Sequence, residues 1–229
     1  MTDNSNAPPL VREVVARSIL GRSGVRGIDY SLNPYVGCAH GCRYCYADFM
    51  RRFTGHAEVW GLFVDVKANA ADCLRRELRR RPPGLVSLSL VTDPYQPVES
   101  RYGVTRQCLE VLAEAPDFRV TILTRSPLLL RDLDVLRTLP RLEAGLSITT
   151  DRDDIRRLFE PNAPPIGQRI DCLRRLRQAG LRTYAFVGPI LPMNPEKLAR
   201  ALVGWVDYIY LDRMNYPWKA ATLYRQHQL

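Results

Sequence analysis

Eleven residues, Val36-Gly37-Cys38-Ala39-His40-Gly41-Cys42-Arg43-Tyr44-Cys45-Tyr46, hold three of the chain's six cysteines in the spacing C-x3-C-x2-C. Thiolates are soft ligands that select zinc, copper(I) or iron–sulfur clusters. A structural zinc ion is usually closed by four ligands arranged as two separated pairs, and this chain has no second pair. His40 or His56 could supply a fourth ligand, but His40 lies inside the C-x3-C turn, a poor position from which to join the same tetrahedron. Each iron of a four-iron cluster needs an external ligand, so three cysteines leave one iron free for a substrate or a chelating cofactor. Gly37 and Gly41 let the backbone approach a bulky inorganic core closely. On the residues alone, both the iron–sulfur and the zinc reading stand.

The elements that must position this loop follow it as a regular alternation. Val86–Val91, Arg119–Thr124, Leu142–Thr149, Leu181–Val187 and Val206–Leu211 read as strands. The segment around Tyr30 to Asn33, just before the cysteines, reads as one more. Helical patterns cover Ala70–Arg80, Thr105–Ala115, Pro127–Leu139, Ile166–Ala179 and Pro195–Trp205; Pro127 suits a first helical turn and Gly180 a helix end. Short strands alternating with amphipathic helices imply βαβ units and parallel pairing. Six such units predict an incomplete barrel, because a closed eight-fold barrel typically takes about 250 residues; an open doubly wound sheet is the alternative. No GxGxxG or P-loop follows any strand, which argues against a dinucleotide or ATP fold. In either architecture the site lies at the C-terminal ends of the strands. Polar clusters fall there repeatedly: Thr92-Asp93, Thr124-Arg125-Ser126, Ser147-Ile148-Thr149-Thr150.

Composition bounds the rest. The chain has 229 residues, 46% of them hydrophobic, enough for one sizeable core. Its net charge of +9, nearly all from arginine, permits binding of nucleic acid or phosphate, and equally suits solvated helix faces such as the run Arg75-Arg76 to Arg79-Arg80-Arg81. The first 15 residues lack a basic segment leading into an apolar run, and no apolar stretch approaches the ~18 residues of a membrane span. The expectation is a cytoplasmic protein with reduced thiols, in which Cys73, Cys108 and Cys172 are small buried apolar residues. Residues 1–12, polar and proline-containing, read as a disordered tail, and 13–229 as one domain with a short C-terminal extension.

The cysteine spacing, with Tyr44 before the third cysteine, resembles the signature of radical S-adenosylmethionine (SAM) enzymes. Further stretches resemble the spore photoproduct lyase branch, often described as DNA repair photolyase-like. These are Asn33-Pro34-Tyr35-Val36-Gly37-Cys38, Thr92-Asp93-Pro94-Tyr95-Gln96-Pro97-Val98-Glu99, Thr124-Arg125-Ser126, Arg131-Asp132-Leu133, Glu160-Pro161 with Arg169, and Pro189-Ile190-Leu191-Pro192. The resemblance implies a partial (β/α)6 TIM-like barrel of the radical SAM type. It implies a 4Fe-4S cluster on Cys38, Cys42 and Cys45, whose open iron takes the amino and carboxylate groups of SAM. Tyr44 would lie beside the adenine, Asp93 near the methionine amino group, Arg125 (where the branch more often has lysine) on the carboxylate, and Ser147 on the ribose. Tyr44 and Tyr46 match two tyrosines of the lyases' radical relay. Reductive cleavage of SAM would yield a 5′-deoxyadenosyl radical for hydrogen abstraction, with flavodoxin or ferredoxin as electron donor.

This chain departs from the lyases at Ser89-Leu90-Val91-Thr92-Asp93, where they carry a hydrogen-donating cysteine before the aspartate. It also ends about 18 residues past the last expected strand, with little room for the lyases' DNA-binding hairpin. Repair of thymine dimers is therefore not expected. Three functions are carried forward: a radical enzyme acting on nucleic acid or a nucleotide, one acting on a small metabolite or peptide, and a zinc-stabilised nucleic-acid-binding protein. The tail Asp212 to Lys219 could read substrate or plug the open barrel.

Overall fold

The computed structural model describes residues 8–229. Its strands are β1 (Leu10–Val14), β2 (Leu20–Arg22), β3 (Tyr30–Leu32), β4 (Tyr35–Gly37), β5 (Phe63–Lys67), β6 (Leu85–Leu88), β7 (Arg119–Thr124), β8 (Leu142–Ser147), β9 (Arg182–Val187) and β10 (Tyr208–Leu211). Its α-helices are α1 (Ala70–Leu78), α2 (Glu99–Tyr102), α3 (Val104–Ala113), α4 (Leu133–Leu136), α5 (Asp153–Phe159), α6 (Ile166–Gln178), α7 (Pro195–Leu202) and α8 (Pro217–Gln226). The segment Pro127–Asp132 that leads into α4 is 3-10 helix, so the helix expected over Pro127–Leu139 is split. Of the expected N-terminal tail, residues 1–7 lie outside the described residues, and Leu10–Arg12 begin β1, paired with Phe63–Asp65.

Six parallel strands, β3, β6, β7, β8, β9 and β10, stand side by side in chain order, with β2 antiparallel on the outer edge of β3. Strand order that never reverses is the winding of a barrel, not of a doubly wound sheet. The arc stays open between β10 and β2. In-register parallel partners point to the same face, so Ser31, Ser87, Thr121 and Glu143 line the inner face. The alternate residues Val86, Val120, Leu142 and Leu146 are buried in one core with Leu109, Leu173, Leu176 and Leu198 of the helices. Each such fully buried side chain stabilises the fold by roughly 1.5–3 kcal/mol.

Inside the arc, Tyr184 reaches from β9 across β8 to β7. Its hydroxyl donates to the Ile122 carbonyl (3.0 Å) and lies 3.1 Å from Thr121 Oγ1. It can cross only because Gly145 lies beneath it: a Cβ there would stand 2.3 Å from the ring. Tyr184 thus floors the lumen and leaves the C-terminal strand ends above it for a site.

The cysteine loop is not mounted on this arc. After β3 the chain turns at Asn33-Pro34 and enters a second, three-stranded sheet of order β1-β5-β4, and the cysteines follow β4. Asn33 joins the two frames. Its Oδ1 accepts from the Leu90 and Val91 amides (3.1 and 3.3 Å), and its carbonyl accepts from Lys67 Nζ (2.9 Å).

Candidate active site

The cysteine loop begins on a glycine for a steric reason. Gly37 sits at φ +82°, and a Cβ on it would fall 2.3 Å from the Phe63 carbonyl oxygen. Beyond it, side chains from three elements hold the loop by its backbone. Gln96 accepts from the Ala39 amide (2.8 Å) and donates to the Gly37 carbonyl (3.2 Å), which also accepts from the Thr92 hydroxyl (2.6 Å). From the opposite side, Asn162 Nδ2 donates to the Ala39 carbonyl (3.1 Å), and the Arg43 amide donates to the Phe159 carbonyl (2.9 Å). From α8, Lys219 Nζ donates to the Cys45 carbonyl (2.9 Å) and pairs with Asp48. Cys38 and Cys42 are buried and Cys45 is half-buried.

The expected strand-end residues gather beside this loop. Asp93 is buried, and its carboxylate accepts from the Thr124 hydroxyl (2.5 Å) and from the amides of Tyr95 (2.9 Å) and Arg125 (2.8 Å). His40 Nε2 stands 3.3 Å from Asp93 Oδ2, outside hydrogen-bond alignment. Burial alone would raise the Asp93 carboxyl. The neighbouring His40 ring, the Thr124 hydroxyl and the Arg125 guanidinium outweigh it and hold the group at about 2. Asp93 is therefore a fixed, ionised acceptor.

Arg125 reaches toward the cysteines. Its Nη2 donates to the Tyr44 hydroxyl (3.0 Å), its Nε lies 3.4 Å from Glu160 Oε1, and its guanidinium carbon stands 5.9 Å from the Tyr44 ring centroid. Tyr44 is buried and donates its own hydroxyl to Glu160. Glu160 also accepts from Thr149 (2.9 Å) and is paired with Arg169, both side chains fully buried. Burial would raise the Glu160 carboxyl, but Arg169 and Arg125, with the bond from Tyr44, bring it to about 2. Arg169 donates in turn to the Ser147 carbonyl (2.9 Å), so the ends of β7 and β8 share one network with the cysteine loop. The Ser147 hydroxyl is buried and has no partner among the described residues. Tyr46 differs from the others: it is 45% exposed, and its hydroxyl donates to the Leu90 carbonyl at the rim of the lumen.

Residues outside the expected site complete it. Thr92, Gln96, Asn162 and Lys219 grip the loop; the first two fall in the quoted Thr92–Glu99 stretch, but nothing in a linear pattern says that they meet Gly37 and Ala39. Glu99 and Arg131-Asp132 of the same set of motifs serve the scaffold. Arg131 Nη2 reaches Glu99 (2.6 Å), which also accepts from Tyr35 of β4 and from the Thr105 amide (2.9 Å). Cys73, Cys108 and Cys172 are buried in the helix-side core, as expected.

A family profile described as "Radical SAM superfamily" matches residues 32–202. The chain belongs to the radical SAM superfamily. It is 30% identical over 205 residues to an uncharacterized protein of Methanocaldococcus jannaschii, covering 89% of this chain and 77% of that one. It is 30% identical over 161 residues to a radical SAM Nalpha-GlyT isomerase of Pseudomonas phage M6, covering 69% of this chain and 32% of the phage protein. Among solved structures it resembles spore photoproduct lyase with bound AdoMet and dinucleoside spore photoproduct, at TM-score 0.71 and 16% identity, over 95% of this chain and 66% of that one. That likeness carries the fold: the radical SAM type of TIM-like barrel, here an open arc.

The chain is therefore an enzyme, and its cofactors are those of the superfamily, a 4Fe-4S cluster and SAM. The residues fit them. No three His, Cys, Asp or Glu side chains among the described residues converge on a single metal ion; a four-iron cluster asks instead for thiols on separate irons. Burial pushes all three thiols up, Cys42 to about 12, and a soft cation is what would hold them as thiolates. Beside them stand an ionised carboxylate, a guanidinium and an unpartnered hydroxyl, a set that matches an amino acid joined to a sugar.

Proposed function

We propose that this radical SAM enzyme holds its cluster on Cys38, Cys42 and Cys45 and its SAM among Tyr44, Asp93, Arg125 and Ser147. The observation that carries the reading is the three-thiol loop held over the strand ends where Asp93 and Arg125 meet. Asp93, ionised and fixed by three donors, accepts from the methionine amino group. Arg125 meets the carboxylate, Ser147 the ribose, and Tyr44 lies beside the adenine. When bound, cluster and SAM together supply a 5′-deoxyadenosyl radical that abstracts hydrogen from substrate; the protein supplies position and a dry enclosure. The proposed radical relay runs through Tyr44 and Tyr46, on either side of Cys45.

The proposed substrate class is nucleic acid or a nucleotide, and the proposed setting is the reducing cytoplasm with flavodoxin or ferredoxin as electron donor. The net charge of +9 supports the substrate class, as does the tail. There Tyr216 and Trp218 form an edge-to-face pair with centroids 5.2 Å apart and Lys219 beside them, and Trp218 is 66% exposed. Aromatic faces and cations of this kind serve bases and phosphates. The dinucleoside bound to spore photoproduct lyase is of the same chemistry.

Anaerobic reconstitution tests the core of this reading. It should give about four iron and four sulfide per chain, lost on replacing Cys38, Cys42 or Cys45 by Ala. Stoichiometric zinc without sulfide would refute it. Deoxyadenosine release, screened against oligonucleotides, nucleotides, peptides and small metabolites, tests the substrate class; a response to peptides or metabolites alone would overturn the nucleic-acid assignment.

A further inference from the structure

The segment Tyr46–Phe53, capped by Cys45, is a 3-10 helix, and beyond Tyr46 its outward residues have no use in the site described above. With three residues per turn, Tyr46, Phe49 and Arg52 stack in one row. All three are exposed, and Phe53 beside them is 70% exposed. At about 2 Å rise per residue, Phe49 lies about 8 Å and Arg52 about 14 Å along the axis from Cys45. The charge of this face is uncompensated. Arg43 and Arg52 are exposed and have no ion-pair partner among the described residues. The Arg51 guanidinium is held by the carbonyls of His56 and Ala57 (3.4 and 2.8 Å), and the segment's one acid, Asp48, is neutralised by Lys219. Such a face, arginine around exposed aromatics, has the composition of a protein interface.

We infer that Phe49, Arg52 and Phe53, with Arg43 at the margin, form the docking face for a small acidic one-electron carrier protein, which delivers its electron at the Cys45 edge of the loop. The inference rests on the cluster assignment above. In the transfer the carrier loses one electron and the cluster gains it, and no bond or proton changes hands. Three observations favour a carrier. Cys45 is the most exposed of the three cysteines. The helix leads from it directly to the surface. Charge complementarity commits the partner to an acidic protein and steers its approach. A nucleic acid would meet the same cations, so retention on single-stranded DNA tells the two partners apart.

Arg52→Glu and Phe53→Ser test this, since neither residue touches the site. With reduced flavodoxin as probe, the rate of cluster bleaching in Arg52→Glu should fall on the order of tenfold at low salt, and the wild-type rate should fall with ionic strength. Bleaching by dithionite should be unchanged, which reports the cluster independently of the face. Binding of oxidised flavodoxin, measured calorimetrically, should weaken in parallel in both variants. Equal rates and affinities in wild type and variants, or a wild-type chain that flavodoxin does not reduce while dithionite does, would overturn the inference. So would a variant whose retention on single-stranded DNA falls while its reduction by flavodoxin does not.

Discussion

Gln96 offers a direct test of how the cysteine loop is held. It is fully buried, and its amide accepts from Ala39 and donates to Gly37, the residues on either side of Cys38. In Gln96→Ala the Gly37 carbonyl keeps the Thr92 hydroxyl at 2.6 Å, so no acceptor is stranded there. The Ala39 N–H loses its partner in a buried position, which costs about 1–3 kcal/mol. The lost methylene burial adds about 0.8 kcal/mol. The expected destabilisation is about 2–4 kcal/mol, or roughly 4–16 °C in melting temperature for a chain of this size. Because the slack falls beside Cys38, a proposed cluster ligand, iron should also leave faster under chelator challenge. Gln96→Met separates the causes: it fills the space yet still strands the Ala39 N–H, so it should recover only the cavity part. Thermal melting and iron-release rates of the three proteins check this. If both variants melt within about 0.5 kcal/mol of wild type and hold iron as long, the loop is not held by this side chain.

Arg125→Ala should weaken SAM binding on the order of tenfold to a hundredfold, from a charge-assisted contact of roughly 1.5–3 kcal/mol. Glu160 keeps Arg169 and Tyr44, so cluster content should not change; calorimetric titration with SAM checks both. Gly145→Ala should cost roughly 1–3 kcal/mol in denaturant unfolding, because its Cβ would press the Tyr184 ring at 2.3 Å, and an added Tyr184→Phe should not relieve it, since the clash is with the ring. Trp218→Ala should leave the melting temperature within a few degrees of wild type, because the indole is exposed; if the tail reads substrate, turnover falls while SAM cleavage does not.

What the sequence showed and what it hid divide along physical lines. The six parallel strands announced themselves through periodicity, and α1, α3, α6 and α7 through amphipathic patterns whose ends shifted by a few residues, whereas the helix expected over Pro127–Leu139 is split and the short α2 and α5 carried no such pattern. The second sheet was missed because β4 is three residues long and β5, Phe63-Val64-Asp65-Val66-Lys67, carries an acid at its centre whose partner, His56 at 2.9 Å, a linear pattern does not show. Helix α8 was missed because its sequence read as an isolated tail. In the structure Ala220 and Leu223, not Trp218, pack against Cys42, Tyr44 and Phe159, so the tail covers the cysteine loop through residues the pattern did not single out. Cys38, Cys42 and Cys45 were legible as candidates from their spacing, Asp93 and Arg125 from their place after a strand, and the structure brings these candidates together. The engagement of Arg125 with Tyr44 and Glu160 was hidden, because it joins residues 81 and 35 positions apart.

The grip on the cysteine loop bears on how closely folding is tied to cofactor loading. Thr92, Gln96, Asn162 and Lys219 fix the loop through backbone groups, and none of those bonds runs through a thiol. A metal site that folds only around its ion spends much of its binding energy on ordering the chain. Here backbone hydrogen bonds from Thr92, Gln96, Asn162 and Lys219 supply part of that ordering, so the melting temperature should depend less on cofactor content than in a site ordered by its ion alone.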